Sequence, residues 1–271
     1  MCAFAIRAVK NSNVVRAAFS PASAMNGGSL IEKPPGAWTI ISGRLATTAR
    51  YWELAPGARW HGFTHVAPGY AITDPNKLIL LTPGFDRDTG AYAEHGVPAP
   101  VVAQYLRENR VVPEKNDLNS LLFLLTPGVE ASKAGTLISG LIAFKKLHDE
   151  NVALEDVIPE FYRRRKARYA GVRLRDLCAE MHRFFRAADV SALQAKQFSP
   201  AHLPDIALSP HDATRCLVRN DVEYLPIDQI AGRIATTPFV VYPPGIATIV
   251  PGERLTSRAQ PMIDYLKMFE T

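Results

Sequence analysis

Lys77-Leu78-Ile79-Leu80-Leu81-Thr82-Pro83-Gly84 decides the fold of this chain. Four consecutive large apolar residues, entered after Asp74-Pro75 and ended by a Pro-Gly turn, read as a buried strand. The string Leu-Leu-Thr-Pro-Gly returns at 124–128, 44 residues later. Only the strand ends match, so the pattern suggests two neighbouring strands leaving one sheet, not a solenoid. Between them, residues 97–109 read as a helix. Pro98 suits its first turn, and Val101, Val102, Tyr105 and Leu106 form its apolar face. Residues 110–114 read as a second strand and 121–125 as a third. Residues 132–149 form a long helix that buries Leu137, Ile138, Leu141, Ile142 and Phe144, with Lys145, Lys146 and His148 near its C-terminal dipole. Strand, helix, strand, strand, helix is a small α+β layer, helices on one face of a mostly antiparallel sheet.

Upstream the character differs. Order begins near Tyr51-Trp52-Glu53, and Trp60-His61-Gly62-Phe63 follows a Pro56-Gly57 turn. Residues 1–50 are rich in Ala, Ser, Arg and Gly and show no sustained period, which predicts a disordered or foreign leader. Six bases (Arg7, Lys10, Arg16, Lys33, Arg44 and Arg50) against Glu32 account for the whole net charge of +5. The remaining residues are neutral overall, so the basic balance gives no ground for a nucleic-acid partner. Arg163-Arg164-Arg165-Lys166 is a compact basic run that reads as a solvated helix end.

The 271 residues are 47% apolar and 21% charged, an ordinary globular composition. No apolar stretch approaches the roughly 18 residues of a membrane span. Cys2, Cys178 and Cys216 are widely spaced and odd in number, which suits reduced thiols in a cytoplasmic protein. His61 and His65 are four apart, but Gly62 puts them in a loop with no completing ligand, so no metal site is expected.

Beyond about 151 the chain turns to short helices and Pro-rich corners. Leu174, Leu177, Cys178, Met181, Phe184 and Phe185 recur at helical spacing as a core stripe. Ser209-Pro210-His211-Asp212 reads as a helix start, with His211 capping or packing there. Residues 227–234 read as a short helix or turn, and 256–269 as a closing helix. The expected division is 1–50 unassigned, 51–150 a small α+β domain and 151–271 a second domain.

Val241-Tyr242-Pro243-Pro244-Gly245-Ile246, followed by Pro251-Gly252-Glu253, puts one tyrosine on a stiff corner between two proline-glycine turns. With the matching signals elsewhere, residues 51–271 resemble the C-terminal part of the bacterial ornithine/lysine/arginine decarboxylases, pyridoxal-phosphate enzymes of fold type I. Residues 1–50 carry no such resemblance. It implies a small fold-type-I C-terminal subdomain, helices on a mostly antiparallel sheet, followed by an incomplete mixed α/β C-terminal domain. It implies a lyase that converts lysine, arginine or ornithine to a diamine or agmatine and CO₂, as a cytoplasmic homo-oligomer.

Two residues are candidates for the substrate pocket. Glu114 ends the apolar run Val111-Val112-Pro113-Glu114, held extended by Pro113. By spacing it is a solvated strand-end carboxylate, with Lys115 beside it as a pairing partner. The resemblance instead implies that it faces the substrate's distal cation, which needs a counter-charge in a partly dry cleft. Tyr242 is either a structural tyrosine or, by the resemblance, a second wall of that pocket. The resemblance implies no catalytic residue here. The family's Schiff-base lysine follows a histidine in Ser-x-His-Lys, and none of these lysines does. Ser132-Lys133 is the nearest match and sits at a helix start. The chain is thus expected to be a fragment cut at both ends, inactive and without pyridoxal phosphate by itself. The alternative is a non-catalytic remnant or interaction module that binds a full-length decarboxylase.

Overall fold

A computed structural model describes residues 4–6, 17–19, 56–57, 64–70, 74, 76–86, 89–241 and 246–268. The chain forms two compact units, residues 1–183 and 184–271.

In the first unit, β1 (Phe4–Ile6) and β2 (Ala17–Phe19) pair antiparallel within the stretch that the sequence left unassigned. The main sheet has three strands, β3 (Lys77–Leu81), β4 (Lys115–Asn116) and β5 (Ser120–Leu124), in the order β3-β5-β4 and antiparallel throughout. The middle strand of the sequence reading is displaced. Residues 111–113 run irregularly and pairing starts at Lys115, because Pro113 has no N–H to give a ladder. The two Leu-Leu-Thr-Pro-Gly strings do leave neighbouring strands, but at opposite ends of the sheet, since Lys77 pairs with Leu124 and Leu81 with Ser120. Their environments diverge accordingly. Thr82 is buried and Thr126 exposed.

Helix α1 (Ala99–Glu108) has Pro98 as its N-cap and Pro100 in its first turn. Its buried face is Val101, Val102, Tyr105 and Leu106, as the period requires. Helix α2 (Ala131–Asp149) turns a narrower face inward than its sequence suggests. Leu141, Phe144 and His148 are buried and Leu137 partly so, while Ile138 and Ile142 are 52% and 48% exposed. The rings of Tyr105 and Phe144 meet edge to face at 5.2 Å, joining α1 to α2.

The first core does not stop near residue 150. Short helices α3 (Leu154–Val157), α4 (Pro159–Arg164) and α5 (Lys166–Tyr169) and the start of α6 (Leu174–Ala187) add Leu154, Val157, Ile158, Leu174 and Cys178 to it. Two polar clasps hold them. Glu108 accepts from the backbone N–H of Glu160 at 3.0 Å and of Phe161 at 2.9 Å, capping α4 from α1. Asn151, in the left-handed region at φ 51°, accepts from Arg175 N–H at 2.9 Å and donates to Asp176 at 3.2 Å. The expected boundary near 150 therefore falls inside one packed unit. Sequence reads the change of element length there but not the shared core.

The second unit contains α7 (Val190–Lys196), β6 (Asp205–Ile206), α8 (Pro210–Val218), β7 (Phe239–Val241), β8 (Ile246–Ile249), β9 (Glu253–Arg254) and α9 (Gln260–Lys267). Ser209 caps α8 as read, accepting from Asp212 N–H at 3.1 Å. The core is Ile249, Leu255, Ala259, Met262 and Ile263. Gly252 is its backbone junction. Its carbonyl accepts from Ala207 and Leu208 at 2.9 and 3.0 Å, and its N–H donates to Ala235 at 2.8 Å. Gly252 sits at φ 95°, and an added Cβ would overlap the Leu208 carbonyl.

Both cores can be tested by single substitutions. Gly252→Ala forces a left-handed residue with a Cβ against a backbone oxygen, so about 1–3 kcal/mol is lost. The thermal midpoint should then drop by several degrees; an unchanged midpoint contradicts the junction. The second concerns His148, 1% exposed, whose Nδ1 lies 3.8 Å from Asp149. Burial holds its imidazole below the ordinary range, Asp149 opposes this, and Arg175 and Lys145 reinforce it. A depressed folded pKa means the unfolded chain binds more protons in the window just below about pH 6.5. Stability is therefore full above that pH and falls as pH drops through the window. Denaturant midpoints of His148→Phe should lose that part of the slope, and an identical slope rules His148 out as its source.

Candidate substrate-facing site

Glu114 is presented by a sequence of local constraints. Helix α1 ends at Asn109, whose side chain donates to Tyr105 O at 2.8 Å, and Arg110 takes φ 63°. Val111 N–H returns to Leu106 O at 2.8 Å, which turns the chain back toward the sheet. Val112 is exposed, Pro113 is buried, and Glu114 emerges with its side chain exposed. Its own N–H donates to Leu122 O at 2.8 Å, so the backbone at Glu114 is tied to the central strand.

The hairpin beyond it is fixed by a carboxylate that the sequence reading passed over. Asp117 Oδ1 accepts from the N–H groups of Asn119 at 2.6 Å and Ser120 at 2.5 Å. Burial raises its carboxyl above the usual carboxylate range, and those two N–H groups work against the rise. The signal was available in Asp117-Leu118-Asn119-Ser120, an aspartate placed to accept from the backbone two residues on. Arg107 supports the same strand from α1, donating to Asn116 Oδ1 at 2.8 Å.

Behind the hairpin lies a polar chain. Asn119 is 6% exposed; its carbonyl accepts from Thr82 N–H at 2.9 Å and Thr82 Oγ1 at 3.1 Å, and its Nδ2 donates to the Tyr92 hydroxyl at 2.8 Å. Tyr92 meets His182 edge to face at 5.7 Å, and His182 Nε2 lies 2.9 Å from Ala93 O. The turn under Glu114 is thus fastened to the loop after β3 and to α6.

Of the two candidate pocket residues, Glu114 is placed by the first unit. Tyr242 lies outside the described residues, as do Cys2 and His61. The strands on either side of it, β7 and β8, pair antiparallel with Val241 opposite Ile246. Lys133 is exposed in the first turn of α2 and donates to Gly128 O at 2.8 Å. His65 and His211 are exposed. Among the described residues no group of three or more His, Cys, Asp and Glu is placed to hold a metal ion, and no helix is long and apolar enough to cross a membrane.

Comparison with known proteins gives a consistent result. Residues 8–133 match the family model for the Orn/Lys/Arg decarboxylase major domain, and 191–271 match that for the Orn/Lys/Arg decarboxylase C-terminal domain. The first match reaches into residues 1–50, where the sequence reading found no resemblance. The constitutive ornithine decarboxylase of Escherichia coli is 43% identical over 209 residues, 77% of this chain and 29% of that protein. A lysine decarboxylase of Pseudomonas aeruginosa is 41% identical over 220 residues, 81% of this chain and 29% of that protein. The solved structure of lysine decarboxylase A from Pseudomonas aeruginosa superposes with a TM-score of 0.72 at 40% identity, over 80% of this chain and 29% of that one. That of the Escherichia coli constitutive lysine decarboxylase gives 0.70 at 34%, over 80% and 30%. The chain spans about three-tenths of the length of these relatives, and by both of its matched regions it belongs to the Orn/Lys/Arg decarboxylase family.

Proposed function

We propose that this chain supplies the substrate-side wall of a basic amino acid decarboxylase, with Glu114 as counter-charge to the distal cation of lysine, ornithine or arginine. The observation that carries this reading is the presentation of Glu114: an exposed carboxylate on a backbone tied to Leu122 and rooted by buried Pro113. A flexible carboxylate would lose conformational entropy on meeting an ammonium or guanidinium group, and a strand-held one loses less. By the resemblance Tyr242 is a second substrate contact, its ring suited to the aliphatic part of the substrate and its hydroxyl to a polar group. The relatives' names, ornithine and lysine decarboxylases, fit a substrate of this class.

Pyridoxal phosphate is the cofactor that the resemblance implies, and in the complete enzyme it supplies the electron sink for decarboxylation. No Ser-x-His-Lys string stands in this sequence to supply the Schiff-base lysine that the resemblance implies. The cofactor needs a lysine amine; none of the lysines here follows a histidine, and Lys133, the nearest match, is exposed and bonded to Gly128 O. The part of the chain in the reaction is confined to the substrate: it binds the distal cation, orients the side chain and narrows the cleft. The homo-oligomer and the cytoplasmic location belong to the complete enzyme. The absence of a Ser-x-His-Lys string from this sequence favours a second reading for the isolated chain, a non-catalytic module that binds a decarboxylase.

In a full-length enzyme carrying this segment, Glu114→Gln keeps the shape and removes the charge. A charge-assisted contact contributes about 1.5–3 kcal/mol, so kcat/KM should fall roughly 10- to 150-fold while cofactor absorbance stays the same. The mutant should also discriminate less against substrates that lack the distal cation. Steady-state kinetics that leave both rate and discrimination intact would reduce Glu114 to a solvated strand end. The chain alone should release no CO₂ from lysine, arginine or ornithine; turnover that disappears on replacing one of its own lysines would overturn that.

A further inference from the structure

Glu114 stands immediately before β4, so the place of its carboxylate follows from the register of the β4–β5 hairpin. That register pairs Lys115 with Leu122 and Asn116 with Leu121. A slip of one residue would carry every side chain of the short strand to the other face. Hairpins with two central turn residues hold register best when those residues take positive φ, as Asn-Gly and Asp-Gly do. Here the central residues are Leu118 and Asn119; neither takes a positive φ, and the turn has no glycine. A turn of this kind splays its strands unless something else closes it.

The Asp117 carboxylate supplies the closure. Its Oδ1 accepts from Asn119 N–H at 2.6 Å and from Ser120 N–H at 2.5 Å. A backbone-closed turn would give that Ser120 N–H to a carbonyl; here it goes to the side chain. In return Asp117 N–H donates to Ser120 O at 3.1 Å, so residues 117 and 120 are tied to each other twice. The Arg107 bond to Asn116 Oδ1 fastens the strand to α1 but does not join the two strands across the turn. We propose that Asp117 is a positioning residue for substrate specificity: as a hydrogen-bond acceptor it fixes the hairpin register, and with it the reach of Glu114, so that the site reads the length of the chain that carries the distal cation. Ornithine and lysine differ by one methylene. A carboxylate held at one place meets the cation of one better than that of the other, and a loosened hairpin lets it follow either. The inference rests on the substrate-facing role of Glu114 and deepens it, from the charge that is read to the chain length that is read.

The quantity to measure, in a full-length enzyme carrying this segment, is the ratio of kcat/KM for ornithine and lysine. One methylene is worth about 10- to 200-fold in a built site, and Asp117→Ala should narrow the ratio roughly fivefold or more. Cofactor absorbance should not change. Asp117→Asn keeps Oδ1 as an acceptor and should restore the ratio. Leu141→Ala truncates the same core on α2; it should lower the thermal midpoint and leave the ratio as it was, which separates lost stability from lost specificity. In the isolated chain, hydrogen exchange at the Glu114 and Ser120 amides should speed up about tenfold in Asp117→Ala but not in Asp117→Asn. If Asp117→Ala does not fold, Asp117→Ser, a weaker acceptor, replaces it in both measurements. An unchanged ratio, a ratio that Asp117→Asn does not restore, equal losses for both substrates, or an unaltered enzyme that takes both equally would each overturn the proposal. If Glu114→Gln changes the kinetics while Asp117→Ala leaves the ratio alone, this inference fails and the substrate reading stands. If Glu114→Gln has no effect, the substrate reading fails and this inference falls with it.

Discussion

The first unit depends on how closely two loops of backbone and one imidazole approach. The loop after β3 passes Gly84, the loop before α1 passes Gly96, and the ring of His182 from α6 rests on both. A Cβ on Gly84 would stand 2.7 Å from His182 Cε1 and 2.7 Å from His95 O, and one on Gly96 would enter the ring itself. Gly84 also takes φ 101°, which side chains avoid. With no side chain at either place, Ala93 N–H can reach Gly84 O at 2.9 Å, Val97 N–H can reach Pro83 O at 2.8 Å, and His182 can reach Ala93 O. The entry to α1, the exit of β3 and the position of α6 are settled together.

From that knot the polar chain runs outward through Tyr92, Asn119 and Thr82 to the hairpin that begins at Glu114. Each member is buried or half-buried and bonded, so moving one leaves another unsatisfied in a poor dielectric. This explains why an exposed carboxylate can still have a defined backbone position. Its strand is short, but the strand's turn is held by Asp117 and its partner strand by the core.

Among the described residues of the same unit, several large apolar side chains are exposed. Ile79 and Leu124 on the sheet, and Ile138 and Ile142 on α2, are each more than a third exposed. The apolar period of α2 is broader than the face it buries here, and the strands are apolar on both sides. The chain spans about three-tenths of the length of these relatives.

The sequence by itself determined the local elements. The apolar run at 78–81, the face of α1 at Val101, Val102, Tyr105 and Leu106, and the Ser209-Pro210 start of α8 follow from side-chain period and backbone chemistry within a few residues. The family was legible for the same reason, since the Tyr-Pro-Pro-Gly corner and Val-Val-Pro-Glu are short continuous strings. The tertiary structure alone decided which face of α2 is buried, that residues 151–181 share the first core, and that pairing begins after Pro113 instead of before it. It also decided the roles of Gly96, His182 and Asp117. Each of these depends on atoms far apart in the chain meeting at van der Waals or hydrogen-bond distance, which no local period records.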